Sequence, residues 1–273
     1  MSLSSTEPLR AALSPDRVSL VQLGGRKGLL RAEFAECAAA ERGEPVWAPA
    51  LRWFRDGLAG LPGRPSGIRV VLSNHFVRYV LVPWRGRLNG KEEELAHARH
   101  CFEQVYGGMA SAWEIRLSPC ADGESRVACA VDAELLAGLD QAVAAAGKRL
   151  RSVQPYLMSA FNRWRREFDV PQAWFVLAEP GRMCLAIVQN GRWIDLRNQY
   201  AGPDWAAGLP AQLARERVLT DLDGEARVCV CAPDEVAEKI LQDAGENVRI
   251  LRTPLPAGVP EEHAAAVGMA LCG

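Results

Sequence analysis

The chain has 273 residues, enough for one large domain or for two lobes that each bury a core. Apolar residues make up 49% and charged residues 24%, the balance of an ordinary globular protein. The net charge of −1 excludes a global attraction to nucleic acid or anionic lipid, and no apolar run reaches the roughly 18–20 residues that span a bilayer.

Met1–Asp16 lacks the basic start and apolar stretch of a secretory signal and reads as a short disordered lead. Val18–Leu23 and Leu29–Cys37 are predicted as a first hairpin around Gly24, Gly25 and Gly28. A helix over Pro45–Gly60 carries the stripe Trp47, Leu51, Trp53, Phe54 and Leu58. Ile68–Ser73 and Phe76–Pro83 form a tight β pair turning at Asn74-His75. Lys91–Tyr106 is a helix whose Glu92, Glu93 and Glu94 suit its N-terminal end. Two strands, Trp113–Ser118 and Arg126–Val131, join through Asp122-Gly123, and Asp132 caps a helix that ends at Gly147. Leu150–Val153 is a short strand and Pro155–Phe168 a helix.

Residues 168–172 read as a joint, after which the pattern restarts. Trp174–Ala178, Met183–Gln189 and Arg192–Asn198 are strands, the last two joined by Asn190-Gly191. A helix over Leu209–Leu219, a strand over Arg227–Cys231, a helix over Pro233–Ala244 capped by Gly245, and a strand over Val248–Leu251 follow. The closing helix is Glu261–Cys272. A hairpin therefore opens each half.

Few motifs carry chemistry. Gly24-Gly25-x-x-Gly28 and Glu179-Pro180-Gly181-Arg182 are Gly turns between strands, a shape that can cradle phosphate with backbone N–H groups. Neither fits a P-loop or a dinucleotide-binding turn. His97, His100 and Cys101 share a helix face without a third ligand nearby in sequence, and Ser73-Asn74-His75 lacks a nucleophile elbow, so no metal and no catalytic residue is assigned. The eight cysteines show no framework spacing and no Cys-x-x-Cys, which suits reduced thiols. Arg149, Arg151, Arg163, Arg165 and Arg166 interleave with Phe161 and Trp164; the dull reading is a solvated face, the other a protein interface. Trp84 beside Arg85 and Arg87 is a further candidate contact residue.

The order of these pieces resembles the actin-like PilM proteins of the type IV pilus inner-membrane platform and the cytoplasmic region of their GspL relatives in type II secretion. The resemblance rests on Ile68–Tyr79 with the acidic helix after it, on Gly147–Arg166 as a crossing between lobes, and on the small-residue ending His263–Gly273. It implies an α/β, two-lobed actin-like fold of the duplicated ribonuclease H type. Lobe I would span 17–168 and lobe II 172–273, with the last helix returning to the hinge. Gly24, Gly25, Gly181 and Gly268 would then lie nearest a nucleotide.

Nucleotide-competent members open with an Asp-x-Gly turn and carry acid and hydroxyl residues in the second phosphate turn, whereas the first turn here offers Gln22-Leu23-Gly24 and the second Glu179-Pro180-Gly181-Arg182. Without a Mg²⁺-organising carboxylate the main charge-stabilising contribution to phosphoryl transfer is lost. The expectation is a non-catalytic scaffold, cytoplasmic and peripheral to the inner membrane, with no cofactor except ATP/Mg²⁺ as a residual ligand. Its partner would be a PilN-like protein offering a short cytoplasmic peptide, alongside other platform proteins and a homodimer as an open option, with no nucleic acid and no direct membrane insertion. The alternative is an actin-like ATPase or kinase-type phosphotransferase using Glu179 or Asp195 as its acid.

Overall fold

A computed structural model of the chain describes residues 8–24, 28–61, 67–84, 86, 90–121, 123–220, 226–233, 236–238, 240 and 247–273. The first sheet runs β3-β2-β1-β4 and then the strand after the third helix. Its members are β1 (Leu9–Leu13), β2 (Arg17–Leu23), β3 (Leu29–Glu36), β4 (Gly67–Leu72) and β8 (Arg149–Pro155). The second five-stranded sheet comprises β9 (Gln172–Glu179), β10 (Arg182–Gln189), β11 (Arg192–Tyr200), β12 (Arg227–Cys231) and β13 (Val248–Ile250), in the order β11-β10-β9-β12-β13. The two sheets have the same connectivity: an antiparallel three-stranded start, then two parallel strands added on the other side of the first. A smaller sheet, β5 (Val77–Val82), β6 (Trp113–Leu117) and β7 (Arg126–Asp132), is inserted between β4 and the helix α3 (Ala133–Ala145). The second lobe passes from β12 to β13 without a matching strand insertion among the described residues.

Helix α1 (Ala48–Ala59) and α3 cover one face of the first sheet, through Phe54, Leu58, Leu135 and Leu139. The other face is covered by the last helix, α6 (Ala264–Cys272), whose Val267, Met269 and Leu271 pack on Ala12, Val21 and Val71. Helix α2 (Lys91–Tyr106) backs the small sheet through Ala98 and Phe102. In the second sheet, all eight residues of β9 are buried, as a strand covered on both faces requires. Phe175 and Leu177 point to the core shared with the first lobe, and Trp174 and Val176 to helix α5 (Trp205–Leu219).

Local signals explain most of these boundaries. Asp132 accepts from the Glu134 N–H at 2.9 Å and starts α3. Gly147 takes φ +65° and the Lys148 N–H closes back on Val143 at 3.0 Å, which ends it. Asn190 and Gly191, both at positive φ, make the two-residue turn between β10 and β11. Asp122, Gly245 and most of the helix predicted over 233–244 lie outside the described residues; 236–238 and 240 are helical. The helix predicted over Pro155–Phe168 is two pieces, α4 (Tyr156–Arg163) and a 3₁₀ turn at Arg165–Phe168.

One expectation is corrected. The supposed disordered lead 1–16 contains β1, which lies between β2 and β4 with Ala11 and Leu13 fully buried. Lobe I therefore begins before residue 17. Leu9-Arg-Ala-Ala-Leu13 has weak strand propensity, because alanine packs little surface on a pleated sheet. It becomes a strand because two neighbours supply its hydrogen bonds, β4 in parallel and β2 in antiparallel register, and its small Ala12 leaves room for α6.

Candidate functional site

The shared connectivity of the lobes identifies which turns correspond. β9 and β10 match β1 and β2, so the partner of the Pro180-Gly181 turn is Ser14-Pro15-Asp16. The Gly24–Gly28 turn matches Asn190-Gly191 and lies at the opposite end of its sheet, because β1 and β2 are antiparallel. Gln22 is therefore not the counterpart of Glu179. The first turn does hold an acid, Asp16, which is exposed and whose Oδ1 lies 2.8 Å from Ser14 Oγ.

The carboxyl-terminal ends of the parallel strands converge with these two turns, the place where open α/β sheets build sites. The Ser73 N–H donates to the Leu13 carbonyl at 2.9 Å, which brings the β4–β5 turn beside the Asp16 turn. From there Asn74 reaches the second lobe. Its backbone N–H and its Nδ2 both donate to Glu179 Oε2, at 3.0 and 2.7 Å. Asn74 Oδ1 accepts from the Tyr79 hydroxyl at 2.6 Å and from the Leu157 N–H at 3.2 Å. Its carbonyl accepts from Asn198 Nδ2 at 2.8 Å, and the same amide donates to the Val77 carbonyl at 3.0 Å. His75 Nε2 donates to the Pro180 carbonyl at 2.9 Å. One turn of lobe I thus holds both the acid and the turn of lobe II.

Burial sets the electrostatics. It pushes the Glu179 carboxyl above its ordinary value, against the donors from Ser73 and Asn74 that favour the anion. The same desolvation pulls His75 down, against its bond to Pro180, and lowers Arg78, with the Arg182 charge adding to it. Arg78 donates to the His75 carbonyl at 3.0 Å, and Arg182 Nε is buried without a partner among the described residues.

Of the residues expected near a nucleotide, only Gly181 joins this network. It takes φ +73°, and a β-carbon there would sit 3.7 Å from His75 Cε1. Gly24 receives nothing from the cleft: its N–H closes its own turn on Gly28 at 2.8 Å. Gly25 lies outside the described residues. Gly268, in α6, faces Thr253 and Leu255, which a β-carbon there would meet at 3.7 and 3.9 Å. Asp195, the alternative acid, is bound to Arg197 at 2.9 Å, and Arg197 also reaches Glu216 at 2.7 Å. His100 pairs with Gln104 on its own helix, and no cluster of three metal-ligating side chains occurs among the described residues. Trp84 is 41% exposed, while Arg85 and Arg87 beside it lie outside the described residues.

Sequence reading missed Asn74, Asn198 and Asp16. The available signal was a Ser-Asn-His turn in one lobe and a Glu-Pro-Gly turn in the other, both at strand ends; nothing in the spacing says that they touch.

No known family profile and no curated protein sequence matches the chain. Solved structures do. A PilM–PilN type IV pilus biogenesis complex aligns at 15% identity over 98% of this chain and 98% of that one, with a TM-score of 0.65. A Bacteroides thetaiotaomicron protein of actin-like ATPase fold aligns at 10% identity over 98% and 96%, with a TM-score of 0.61. The cytoplasmic domain of EpsL, an inner-membrane component of the Vibrio cholerae type II secretion system, aligns at 11% identity over 97% and 94%, with a TM-score of 0.53. The chain has the two-lobed α/β actin-like fold.

Proposed function

We propose that this protein is a non-catalytic actin-like scaffold that docks to the inner-membrane assembly platform of a type IV pilus or type II secretion system. Its partner there is a PilN-like protein that offers a short cytoplasmic segment. The observation that carries this reading is the use made of Glu179. Its Oε2, which a phosphotransferase would point at Mg²⁺ or water, accepts twice from Asn74 across the lobes. The Pro180 carbonyl is likewise tied to His75. A turn held this way resists the opening that nucleotide exchange requires, and it keeps the surface between lobes in one shape for a partner. The likeness in fold to a PilM–PilN complex and to the EpsL domain supports the platform assignment. No helix among the described residues is long and apolar enough to cross a membrane, so attachment through a partner fits this reading.

Asp16 favours a second reading, a nucleotide-binding member of the same fold, because it puts an acid in the first turn. Calorimetric titration separates the two. The chain is titrated with ATP and Mg²⁺, with hydrolysis followed in parallel, and separately with the cytoplasmic segment of a PilN-type protein. Binding of the segment without turnover is expected. ATP hydrolysis abolished by Asp16→Asn would overturn the scaffold reading and establish the second.

A further inference from the structure

We infer that a second docking site lies beside the start of β9, the end of that strand away from Glu179, and that it takes an acidic protein segment. An open groove of about 780 Å³ runs along the end of α4 and the 3₁₀ turn, and Gly191 of the β10–β11 turn closes it from the second lobe. Phe161 and Phe168, stacked at 4.8 Å and buried, belong to its lining. Arg163, Arg165 and Arg166 line it and are exposed, and none has an ion-pair partner among the described residues. Arg163 lies over the Trp164 ring at 5.7 Å, and the Trp164 indole N–H is buried without an acceptor among the described residues.

The charges decide the occupant. Of the two acids in the lining, Glu167 is already engaged by Arg249 at 2.8 Å and Arg227 at 3.9 Å, and Arg163 donates to the Leu271 carbonyl at 3.2 Å, which leaves Asp169 against the guanidinium groups of Arg165 and Arg166. The guanidinium groups of Arg165 and Arg166 and the Trp164 indole N–H are donors without acceptors among the described residues, so the complement is acceptor-rich. Carboxylates meet guanidinium groups in a two-point geometry, and arginine beside tryptophan is the composition of an interface anchor. A lone anion would leave most of the groove empty, whereas an extended segment carrying carboxylates and an apolar side chain can satisfy the donors and the aromatic wall together. Arg149 and Arg151, grouped with these arginines by sequence, lie on β8 and do not line the groove.

The test is fluorescence anisotropy of a short labelled peptide of alternating glutamate and leucine, added to the full chain at low and raised salt. Binding is expected to weaken with salt and to be absent for the same peptide with lysine in place of glutamate. The double variant Arg165→Glu/Arg166→Glu should weaken it at least about tenfold, because each charged hydrogen bond lost is of that order. Trp164→Phe, which removes the N–H and part of the indole ring while keeping an aromatic face, should weaken it less, and Arg55→Glu on α1 should leave it unchanged. If the charge reversal does not fold, Arg165→Gln/Arg166→Gln carries the same test. Binding equal in the folded double variant overturns the site. So does binding confined to inorganic phosphate or to phosphatidylglycerol vesicles, or self-association of the chain through these arginines.

Discussion

Asn74 donates twice to one oxygen of Glu179, from its backbone and from its amide, so a single carboxylate oxygen joins a turn of one lobe to a turn of the other. Glu179→Ala would leave both donors buried without an acceptor. The expected loss is about 3 kcal/mol, as two unsatisfied buried groups imply, measured by equilibrium urea denaturation. Glu179→Gln keeps an acceptor oxygen in place and should cost far less. A loss below about 1 kcal/mol in the alanine variant would mean that the lobes are held together without this contact.

The same carboxyl and its neighbour predict a pH dependence. Burial raises the folded Glu179 value above the ordinary 4.5, so its contribution is complete below that value and is lost as pH rises through the folded one. Burial lowers His75 below its ordinary 6.5, so its contribution is complete above that value and is lost as pH falls through the folded one. Melting temperature followed against pH should therefore favour Glu179→Gln over the wild type increasingly as pH rises from 4.5. His75→Asn should flatten the fall below 6.5. Parallel curves for wild type and Glu179→Gln would show that Glu179 does not titrate between them.

Leu13 ends β1 and is fully buried between β2 and β4. Leu13→Ala is expected to cost about 2–5 kcal/mol, the range for a large-to-small change in a core. Removal of residues 1–16 should abolish cooperative unfolding. A truncated chain with a wild-type melt would show that the sheet closes without β1.

The cysteines should react in two groups. Burial pushes Cys184 well above its ordinary value, Cys229 to about 11 and Cys231 to about 12, which leaves almost no thiolate near neutral pH. A disulfide reagent applied to native protein at about pH 8 should leave these three unmodified while Cys120, which is half-buried, reacts. Modification of Cys231 before unfolding would indicate that the second sheet opens locally.

Gly181 and Asn190 make a paired test of turn geometry. Gly181→Ala puts a β-carbon at φ +73° and should cost about 1 kcal/mol. Asn190→Gly, at φ 50°, relieves that same penalty and should be close to neutral. Equal effects at the two positions would remove backbone strain as the explanation.

Elements whose signals are local follow from the residues within them. The Asn190-Gly191 turn, the Asp132 cap, the Gly147 stop and the alternating or continuous apolar runs of β5, β9, β10 and β12 each depend on residues within a few positions, and the actin-like architecture was legible in their order. Only the tertiary structure decided that Leu9-Arg-Ala-Ala-Leu13 is a strand, because its hydrogen bonds come from β2 and from β4, the latter more than fifty residues away. That strand in turn decided which turns correspond between the lobes, and so replaced Gln22 by Asp16 as the counterpart of Glu179. The pairing of Asn74 with Glu179 spans 105 positions. No local propensity encodes such a contact; it follows from the packing of two lobes that each bury a sheet, and from the cost of leaving a carboxylate between them without donors.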